Sequence, residues 1–489
     1  MLPQGPELSP QPTTLKKRAM KPKWQGTLIK EPTLRNIAAV VPEYEAMLLS
    51  ILETILRRFE RNPEYRFVDT KLSPLTGLDF SNGADPERDF LGTNSIYGWI
   101  QGRGLEALAG HLEWLPKVSW LSAPEREDLR HRLTAMLAAI LDHLENLRRQ
   151  NGGKLAFLMT PEGKPLGRGS DGRRVRVSPD PPISTTTDLF YAKGLFAAAT
   201  TLGRSDQAQE AVELFRDVVR HIEDETHVID QISFDPKNIV VPKPGRRSHG
   251  PRMIAIYGCG LLAEKLPSEE WQATGARLVR HVLDRHVNLG QWPDLELFDF
   301  VEAIDETGKP WRDAGTVLCD PGHVLEFIGL ATKFLLRLQQ KAAPSPADVD
   351  LLTRGRAVFP KILFQGFRHG FNREVGGIGK AYDLAARAPL NRDMPWWSLP
   401  EALRAASGLL VLSRDHEHHA ALLRIMAESS NAFFANYVNP ACHLMAYQTL
   451  DAKGKPIAVI PATPDADPGY HTGLSVIDFI DNIRRSRDE

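Results

Sequence analysis

The sequence predicts an all-α fold in which the helices form a closed ring, and two observations lead to this prediction. Apolar residues recur at helical spacing through most of the 489-residue chain, which defines about twelve amphipathic segments. Three short apolar runs, each followed by a glycine-containing turn, divide these segments into groups of about four. A hairpin that returns after a fixed number of helices indicates a toroidal array with the hairpins on one rim.

The predicted helices follow one another from Glu43 onward. In the first of them, Met47, Ile51 and Ile55 belong to a stripe that one helix face would bury. Helix pairs arranged around an axis leave a central funnel, so chemistry is expected where polar residues begin the inner helices. We expect helices at about 43–60, 97–115, 124–149, 187–202, 206–223, 251–264, 268–286, 321–341, 346–366, 395–413, 415–436 and 473–484.

The three predicted hairpins share a Gly-Lys-Pro turn. Its glycines are Gly163, Gly308 and Gly454, which lie 145 and 146 residues apart. The even spacing favours an internal architectural repeat, with chance recurrence of a common turn as the alternative. The apolar runs that lead into these turns are Leu155–Thr160, Leu297–Ile304 and Cys442–Leu450.

The charge balance argues against several classes of partner. Lys and Arg number 60 and Asp and Glu number 61, so the net charge is −1. This balance provides no field that would steer nucleic acid or an anionic membrane to the protein, although a local basic patch stays compatible with it. No run of 18 or more apolar residues predicts a membrane span.

The cysteines and the N-terminus predict a cytoplasmic protein with one folded domain. Cys259, Cys319 and Cys442 are far apart and form no CxxC pair, which argues against a disulfide framework or a zinc site and favours a reducing compartment. The N-terminus is rich in Pro and Lys and has no apolar signal region. We therefore expect a flexible tail over 1–34 and a single domain over 35–489.

The first candidate for chemistry begins the predicted helix near residue 97. Trp99 and Arg103 are four residues apart and lie on one helical face. An inward guanidinium would offer fixed donors to sugar oxygens. A surface arginine at the end of a turn is the alternative.

The second candidate lies in the segment Asp320-Pro321-Gly322-His323. Asp as N-cap and Pro at the first helical position predict a helix start. His323 and Glu326 are then three residues apart on one face, where a carboxylate would orient the imidazole and raise its pKa. The alternative is a capping box in which the glutamate satisfies backbone N–H groups.

A pair of tryptophans precedes the next predicted inner helix. Trp396, Trp397 and Glu401 resemble a sugar-stacking platform beside a hydrogen-bonding carboxylate, because sugar C–H faces pack well on aromatic rings. Two tryptophans of an ordinary hydrophobic core are the alternative.

Two further polar residues begin helices or loops. His471 lies in a Gly- and Pro-rich segment, where an imidazole is poorly suited to core packing, and an exposed loop histidine is the alternative. Asp188 follows a Ser-Thr run and is either a ligand residue or a first-turn acid that complements the helix dipole.

No metal or nucleotide site is predicted. His416, His418 and His419 are clustered, but the surrounding charged residues favour a solvated helix start over a metal site. The sequence has no Walker A loop, no GxGxxG after a strand and no GxSxG elbow.

Taken together, these motifs resemble the N-acylglucosamine 2-epimerase family, which includes cellobiose 2-epimerases and aldose–ketose isomerases. Each motif is weak alone, whereas the ordered set across most of the chain is specific. The set comprises Trp99-Ile-Gln-Gly-Arg103, Asp188-Leu-Phe190, Pro321-Gly-His323-Val-Leu-Glu326, Trp396-Trp397-Ser-Leu-Pro-Glu401 and Tyr470-His471.

The resemblance implies an (α/α)6 barrel and a proton transfer at C2 of a small sugar without a cofactor or metal. It implies that His323 and His471 are the acid/base pair, that Arg103 holds the substrate near O1 and O2, and that Glu326 supports His323. The sugar site would be lined by Trp99, Asp188, Trp396, Trp397 and Glu401. A homodimer is one option for its assembly.

One departure from the family concerns a third histidine. Cellobiose epimerases and some isomerases carry it in the helix that begins here near Pro251, where this sequence has Ile254. His249 precedes that position by five residues and could approach the site from a loop.

Several functions stay open at the level of sequence. A sugar 2-epimerase is favoured, and an aldose–ketose isomerase would use the same two bases with different geometry. Glycoside hydrolysis or lyase chemistry would need a carboxylate pair such as Glu326 and Glu401. A non-catalytic carbohydrate-binding barrel would need neither a carboxylate pair nor a histidine pair. The groups that face each other across the funnel discriminate among these classes.

Overall fold

Thirteen α-helices dominate the residues that the computed structural model describes, which are 24–80, 85, 87–177, 184–234, 237, 240, 242–266, 268–413, 416–459 and 467–488. The helices are α1 (Leu34–Ala39), α2 (Val41–Arg61), α3 (Gly98–Trp114), α4 (Ala123–Gln150), α5 (Thr186–Thr201), α6 (Ser205–Glu223), α7 (Gly250–Lys265), α8 (Glu269–His286), α9 (Pro321–Gln339), α10 (Pro346–Gly370), α11 (Ser398–Leu412), α12 (His419–Ala432) and α13 (Ser475–Asp488).

Twelve of these helices form two concentric rings. Each of α3, α5, α7, α9, α11 and α13 contacts the next, and the turn Tyr470–Leu474 before α13 closes the inner ring against α3. Helices α4, α6, α8, α10 and α12 pack outside their inner neighbours, and Tyr44 of α2 packs on Phe479 of α13. The predicted (α/α)6 barrel is confirmed.

The composition of each helix explains its ring. Helices α5 and α11 are rich in Leu and Ala and are buried along almost their whole length. Helix α6 instead buries a single stripe that includes Val212, Phe215 and Val219 and exposes its charged side chains. An all-apolar helix requires partners on every side, whereas an amphipathic helix covers the ring from outside.

In the described part of the chain the strands are short and antiparallel, and they form no closed sheet. Two four-stranded sheets have the orders β1-β2-β3-β4 and β10-β9-β8-β7, and three strand pairs are β5·β6, β11·β14 and β12·β13. The strands are β1 (Ile96–Tyr97), β2 (Leu158–Met159), β3 (Pro165–Arg168), β4 (Arg174–Arg176), β5 (Arg247–Ser248), β6 (Ala303–Ile304), β7 (Arg312–Asp313), β8 (Thr316–Cys319), β9 (Ala381–Asp383), β10 (Ala388–Asn391), β11 (Met394–Pro395), β12 (Val438–Asn439), β13 (Met445–Ala446) and β14 (Thr449–Leu450).

The three predicted hairpins are present. Strand β2 pairs with β3, and single bridges join Ile304 to Pro310 and Leu450 to Pro456. Their turn glycines, Gly163, Gly308 and Gly454, have φ angles of +81°, +82° and +82°. Side chains strongly disfavour this left-handed conformation, which explains the glycine at each turn.

The N-terminal arm is attached to the barrel over part of the predicted tail. Backbone N–H groups of Gln25 and Gly26 donate to Oε2 of Glu43 at 2.8 and 2.7 Å. Ile29 exchanges two backbone hydrogen bonds with the Asn431 side chain of α12. The tail expected over 1–34 therefore does not extend to residue 34, and its first 23 residues lie outside the described part of the chain.

The cysteines and the helices bear on the expected compartment and on the expected lack of a membrane span. Cys259, Cys319 and Cys442 are buried and unpaired, and the cytoplasmic location stays a prediction. Among the described residues, no helix combines the length and apolarity that crossing a bilayer requires.

Helices α3 and α5 approach so closely that a methyl group between them should destabilise the barrel. A Cβ at Gly194 would lie 2.2 Å from the carbonyl oxygen of Gly102. We expect Gly194→Ala to lower the free energy of unfolding by about 3 kcal/mol, because backbone cannot move aside as a flexible side chain can.

Gly260→Ala is the matched control, since its Cβ would meet only Phe334 at 3.9 Å. Alanine there should be neutral or stabilise helix α7 by up to about 1 kcal/mol. Urea denaturation of both variants measures the difference, and equal stabilities would contradict the close packing of α3 on α5.

Candidate active site

The six inner helices begin around one cavity of about 140 Å³. Each inner helix contributes residues from its first turn or from the segment just before it. The lining residues include Trp99, Arg103, Thr186, Gly250, Pro251, Met253, Ile254, Glu302, His323, Glu326, Lys380, Trp396, Trp397 and His471. Most of the candidates from the sequence therefore meet at one place.

A second cavity lies at the opposite end of the barrel, where the inner helices end. Charged side chains line it, but they form ion pairs between inner helices that are not adjacent in the ring, as in Lys333–Asp478 at 2.7 Å and Lys265–Glu113 at 2.7 Å. None of the candidate residues lines this cavity.

The start of α9 holds His323 at the first cavity. Oδ1 of Asp320 accepts hydrogen bonds from the backbone N–H groups of Gly322 and His323 at 3.0 and 3.4 Å, and Pro321 is the first helical residue. The predicted N-cap is confirmed. It orients the first turn of α9 so that the imidazole of His323 lines the cavity.

The partner of His323 is Glu302 and not Glu326. Nδ1 of His323 donates to Oε2 of Glu302 at 3.0 Å, and Oδ2 of Asp320 lies 3.5 Å from the same nitrogen. Burial opposes protonation of His323, but the two carboxylates outweigh it and raise its pKa to about 9. The expectation that Glu326 supports His323 is therefore wrong, because the hairpin before α9 brings another carboxylate closer.

Glu302 was not among the sequence candidates. It is 1% exposed, and although its burial favours the neutral form, contacts with His323 and His249 hold its pKa well below the usual range. Its only sequence signal is an acid at the end of the apolar run that leads into the second hairpin.

His471 lies in a π-helical turn that leads into α13. Oδ1 of Asp467 accepts from the backbone N–H groups of Tyr470 and His471 at 3.0 and 3.4 Å, and Gly469 supplies the left-handed φ of +86° before the turn. The side chain of His471 is only 7% exposed. It is therefore not an exposed loop histidine.

Glu401 holds His471 and does not line the cavity. Its Oε1 accepts from Nδ1 of His471 at 3.0 Å and from Oγ of Ser475 at 2.7 Å, and its Oε2 accepts from Arg404 at 2.9 Å. Burial would raise the pKa of Glu401, but Arg404 and His471 lower it. The expected sugar contact of Glu401 is corrected, since a fully buried carboxylate requires these partners.

Trp397 packs close to both imidazoles. Its ring centroid is 5.6 Å from that of His323 and 5.5 Å from that of His471. Trp396 is beside it, lines the same cavity, and its buried Nε1 has no hydrogen-bond partner among the described residues. The pair is thus both packed and available to a ligand in the cavity.

Arg103 presents an unpaired guanidinium to the cavity. The group stacks 4.2 Å from the ring centroid of Phe190 and 5.5 Å from that of Trp99, on the predicted common face. It has no hydrogen bond or ion pair to any described residue. Trp99 is in turn held by Asp230, which accepts from its Nε1 at 3.2 Å.

Glu326 lies on the His471 side of the cavity. One carboxylate oxygen of Glu326 lies within 4.8 Å of donor or acceptor atoms of both Glu401 and His471. Among the described residues the Glu326 carboxylate has no hydrogen bond or ion pair. It is available to bind a hydroxyl group.

Asp188 does not line the cavity. Its carboxylate closes a capping box with Thr185 at the start of α5 and pairs with Nζ of Lys154 at 2.7 Å. The expected ligand contact is therefore corrected in favour of the first-turn acid that the sequence also allowed.

Two groups at the site bring imidazole and carboxylate atoms within 4.8 Å of each other: His249–Glu302–His323 and Glu326–Glu401–His471. Such sets could hold a divalent cation. Hydrogen bonds link His249 and His323 to Glu302, and His471 to Glu401, whereas Glu326 has no hydrogen-bond partner among the described residues.

Three solved structures of similar fold are named as sugar epimerases or isomerases. A sugar epimerase from a ruminal bacterium has a TM-score of 0.63 at 13% identity and covers 90% of this chain and 98% of its own. A cellobiose 2-epimerase from Spirochaeta thermophila DSM 6192 has a TM-score of 0.58 at 15% identity, covering 93% and 98%. A D-mannose isomerase has a TM-score of 0.57 at 13% identity, covering 88% and 97%.

These identities demonstrate a shared fold and no more, and no curated protein matches the chain in sequence. The family model for N-acylglucosamine 2-epimerase (GlcNAc 2-epimerase) matches residues 175–472. The match covers more than half of the 489 residues and contains both His323 and His471, and the chain accordingly belongs to the N-acylglucosamine 2-epimerase family.

Proposed function

We propose that this protein is a 2-epimerase for a free reducing aldose or N-acylhexosamine, with His323 and His471 as its two proton-transfer groups. One observation carries the proposal. Both imidazoles line one cavity and lie close to Trp397, and each uses Nδ1 to bind a buried carboxylate. Nε2 of each ring is left without a hydrogen bond to any described residue and is available to the substrate.

The reaction begins with the open-chain sugar, whose C1 carbonyl makes the C2 proton more acidic. Nε2 of one histidine removes that proton, and the electron pair forms a C1–C2 double bond while O1 becomes an oxyanion. The other histidine donates its proton to the opposite face of C2, which restores the carbonyl and yields the epimer. Each half-step is general acid–base catalysis.

Positive charge is available where the oxyanion develops. The unpaired guanidinium of Arg103 would donate to O1 and O2, and the N-termini of the inner helices add partial positive charge at the same cavity. Because His323 is held in its protonated form, we assign it as the donor when His471 removes the proton, with the roles exchanged in the reverse direction.

The remaining lining residues suit a sugar. The rings of Trp396 and Trp397 would pack against C–H faces, and the free indole N–H of Trp396 would donate to a hydroxyl oxygen. The unpaired carboxylate of Glu326 would accept from another hydroxyl.

Aldose–ketose isomerisation is the second candidate, since return of the proton to C1 needs the same groups. Glycoside hydrolysis is less well supported, because Glu401 is fully buried and already binds His471, Ser475 and Arg404. A carboxylate in this state cannot flank a glycosidic bond.

Proton NMR of sugars incubated with the enzyme in D2O tests the proposal. The panel is glucose, mannose, N-acetylglucosamine, N-acetylmannosamine and cellobiose, and a His323→Gln, His471→Gln double variant controls for contaminating enzymes. We expect deuterium at C2 together with the C2 epimer of at least one sugar. Deuterium at C1 of a ketose would establish the isomerase, and no exchange in any sugar would overturn both.

A further inference from the structure

We infer that His249 is a positioning residue that acts on His323 through Glu302. This inference rests on the proposed function. His249 lies between β5 and α7, its side chain is fully buried, and it does not line the cavity. It therefore does not touch the substrate, and its effect must pass through another residue.

Strand pairing places His249 and Glu302 side by side. In β5·β6, Arg247 is opposite Ile304 and Ser248 is opposite Ala303. The next residue of each strand segment, His249 and Glu302, continues this antiparallel register. The backbone N–H of Glu302 also donates to the carbonyl of Leu318 in β8 at 2.8 Å, so the segments that carry Glu302 and His323 are joined as well.

Glu302 accepts three side-chain hydrogen bonds. Its Oε2 accepts from Nδ1 of His323 at 3.0 Å and from Nε2 of His249 at 3.3 Å, and its Oε1 accepts from Oγ of Ser248 at 3.3 Å. Donors to the charged form keep a buried carboxylate ionised. Glu302 then orients His323 and stabilises its proton without removing it.

Among the described residues, Glu302 is the one side chain that forms a hydrogen bond with His249. The other close neighbours are rings: Phe300 packs perpendicular to it at a centroid distance of 4.6 Å, and the rings of His286 and His323 lie at 5.5 and 5.8 Å. Nδ1 of His249 is buried without a hydrogen-bond partner among the described residues. An unpaired buried nitrogen destabilises the fold. The hydrogen bond from the other ring nitrogen, Nε2, to Glu302 is the contact that an imidazole at this position provides.

Loss of His249 should make Glu302 a stronger base. With one donor fewer in a buried site, the carboxylate draws the shared proton of His323 toward itself. The imidazole then releases its other proton less readily, and Glu302, with one hydrogen bond fewer, positions the ring less precisely. Among the described residues, the charged or titratable groups next to His323 are Glu302 and His249 from the β5·β6 side, Asp320 at the N-cap of α9, and Lys380, whose Nζ lies 2.6 Å from Asp320.

The test uses His249→Phe with His286→Phe as the matched control. His286 belongs to the same ring cluster but donates to the carbonyl of Val301 and not to Glu302. For His249→Phe we expect kcat to fall by about 10²-fold with KM changed less than about threefold, because a displaced acid costs rate more than binding. The basic limb of the pH profile should move to higher pH.

Glu302→Gln should move the basic limb of the pH profile to lower pH, because loss of the negative partner lowers the pKa of His323 toward that of a free imidazole. His249→Gln, whose amide can donate to Glu302, should recover part of the rate. A role in packing alone would lower kcat equally in His249→Phe and His286→Phe and would leave the limb unmoved, which would overturn the inference.

Titration of His323 by NMR in the substrate-free enzyme separates this inference from the proposed function. If the wild-type protein exchanges no sugar proton, but His249→Phe raises the pKa of His323 and His286→Phe does not, the proposed function fails and the positioning role stands. If the titration is identical in both variants, the positioning role fails whatever the activity.

Discussion

Replacement of His471 by glutamine is expected to lower kcat/KM for epimerisation by about 10³-fold, since general acid–base groups contribute on this order. Glutamine preserves approximate size and a hydrogen bond to Glu401 but cannot accept a proton at the reacting carbon. The barrel should stay folded, because Arg404 and Ser475 continue to satisfy Glu401.

Residual deuterium exchange in His471→Gln should reveal on which face of C2 His471 acts. The intact His323 can still exchange the C2 proton on its own face, so slow deuterium incorporation is expected in only one of the two epimers. NMR of each pure epimer in D2O measures this. His131→Gln, an exposed histidine of α4, is the matched control and should keep full activity. Equal exchange in both epimers would contradict the assignment of His471 to one face.

Replacement of His323 by glutamine should lower kcat/KM by a similar factor of about 10³ and abolish deuterium exchange in one epimer only. The epimer that retains exchange should be the one that loses it in His471→Gln. If both variants retained exchange in the same epimer, the two imidazoles would not act on opposite faces of C2.

The pH dependence distinguishes His323 further. Its pKa is raised to about 9 by Asp320 and Glu302, so the protonated donor is present below that pH and is lost as the pH rises through it. In the direction that uses His323 as acid, wild-type kcat/KM should fall above about pH 9. The fall should vanish in His323→Gln, and a profile that is unchanged in this variant would contradict the donor role.

Local sequence predicted the parts of the site that depend on helix starts. Asp320-Pro321 indicated where α9 begins and therefore where His323 points. Trp99 and Arg103 share a face because residues four apart do so in any α-helix. The first-turn alternative for Asp188 was also correct, because capping requires only neighbouring residues.

Residue roles that depend on distant contacts were not predictable in the same way. Glu326 is on the same helical face as His323, yet Glu302 is the carboxylate that binds it. Glu401 follows two tryptophans of the cavity, yet its buried position directs it to His471 and Arg404. In both cases the nearest partner in sequence was not the nearest partner in space.

Spacing of apolar residues, helix caps and turn glycines were sufficient to predict twelve of the thirteen described helices, their order and the three hairpins, because these features depend on residues a few positions apart. The short helix α1 (Leu34–Ala39) was not predicted. The pairing of each imidazole with its carboxylate joins residues 21 and 70 positions apart. Those contacts arise when the two rings of helices close and short strands align before α7 and α9. Closure of the barrel, and not local pattern, therefore sets which carboxylate binds each imidazole and which ring nitrogen is left without a hydrogen bond to the described residues.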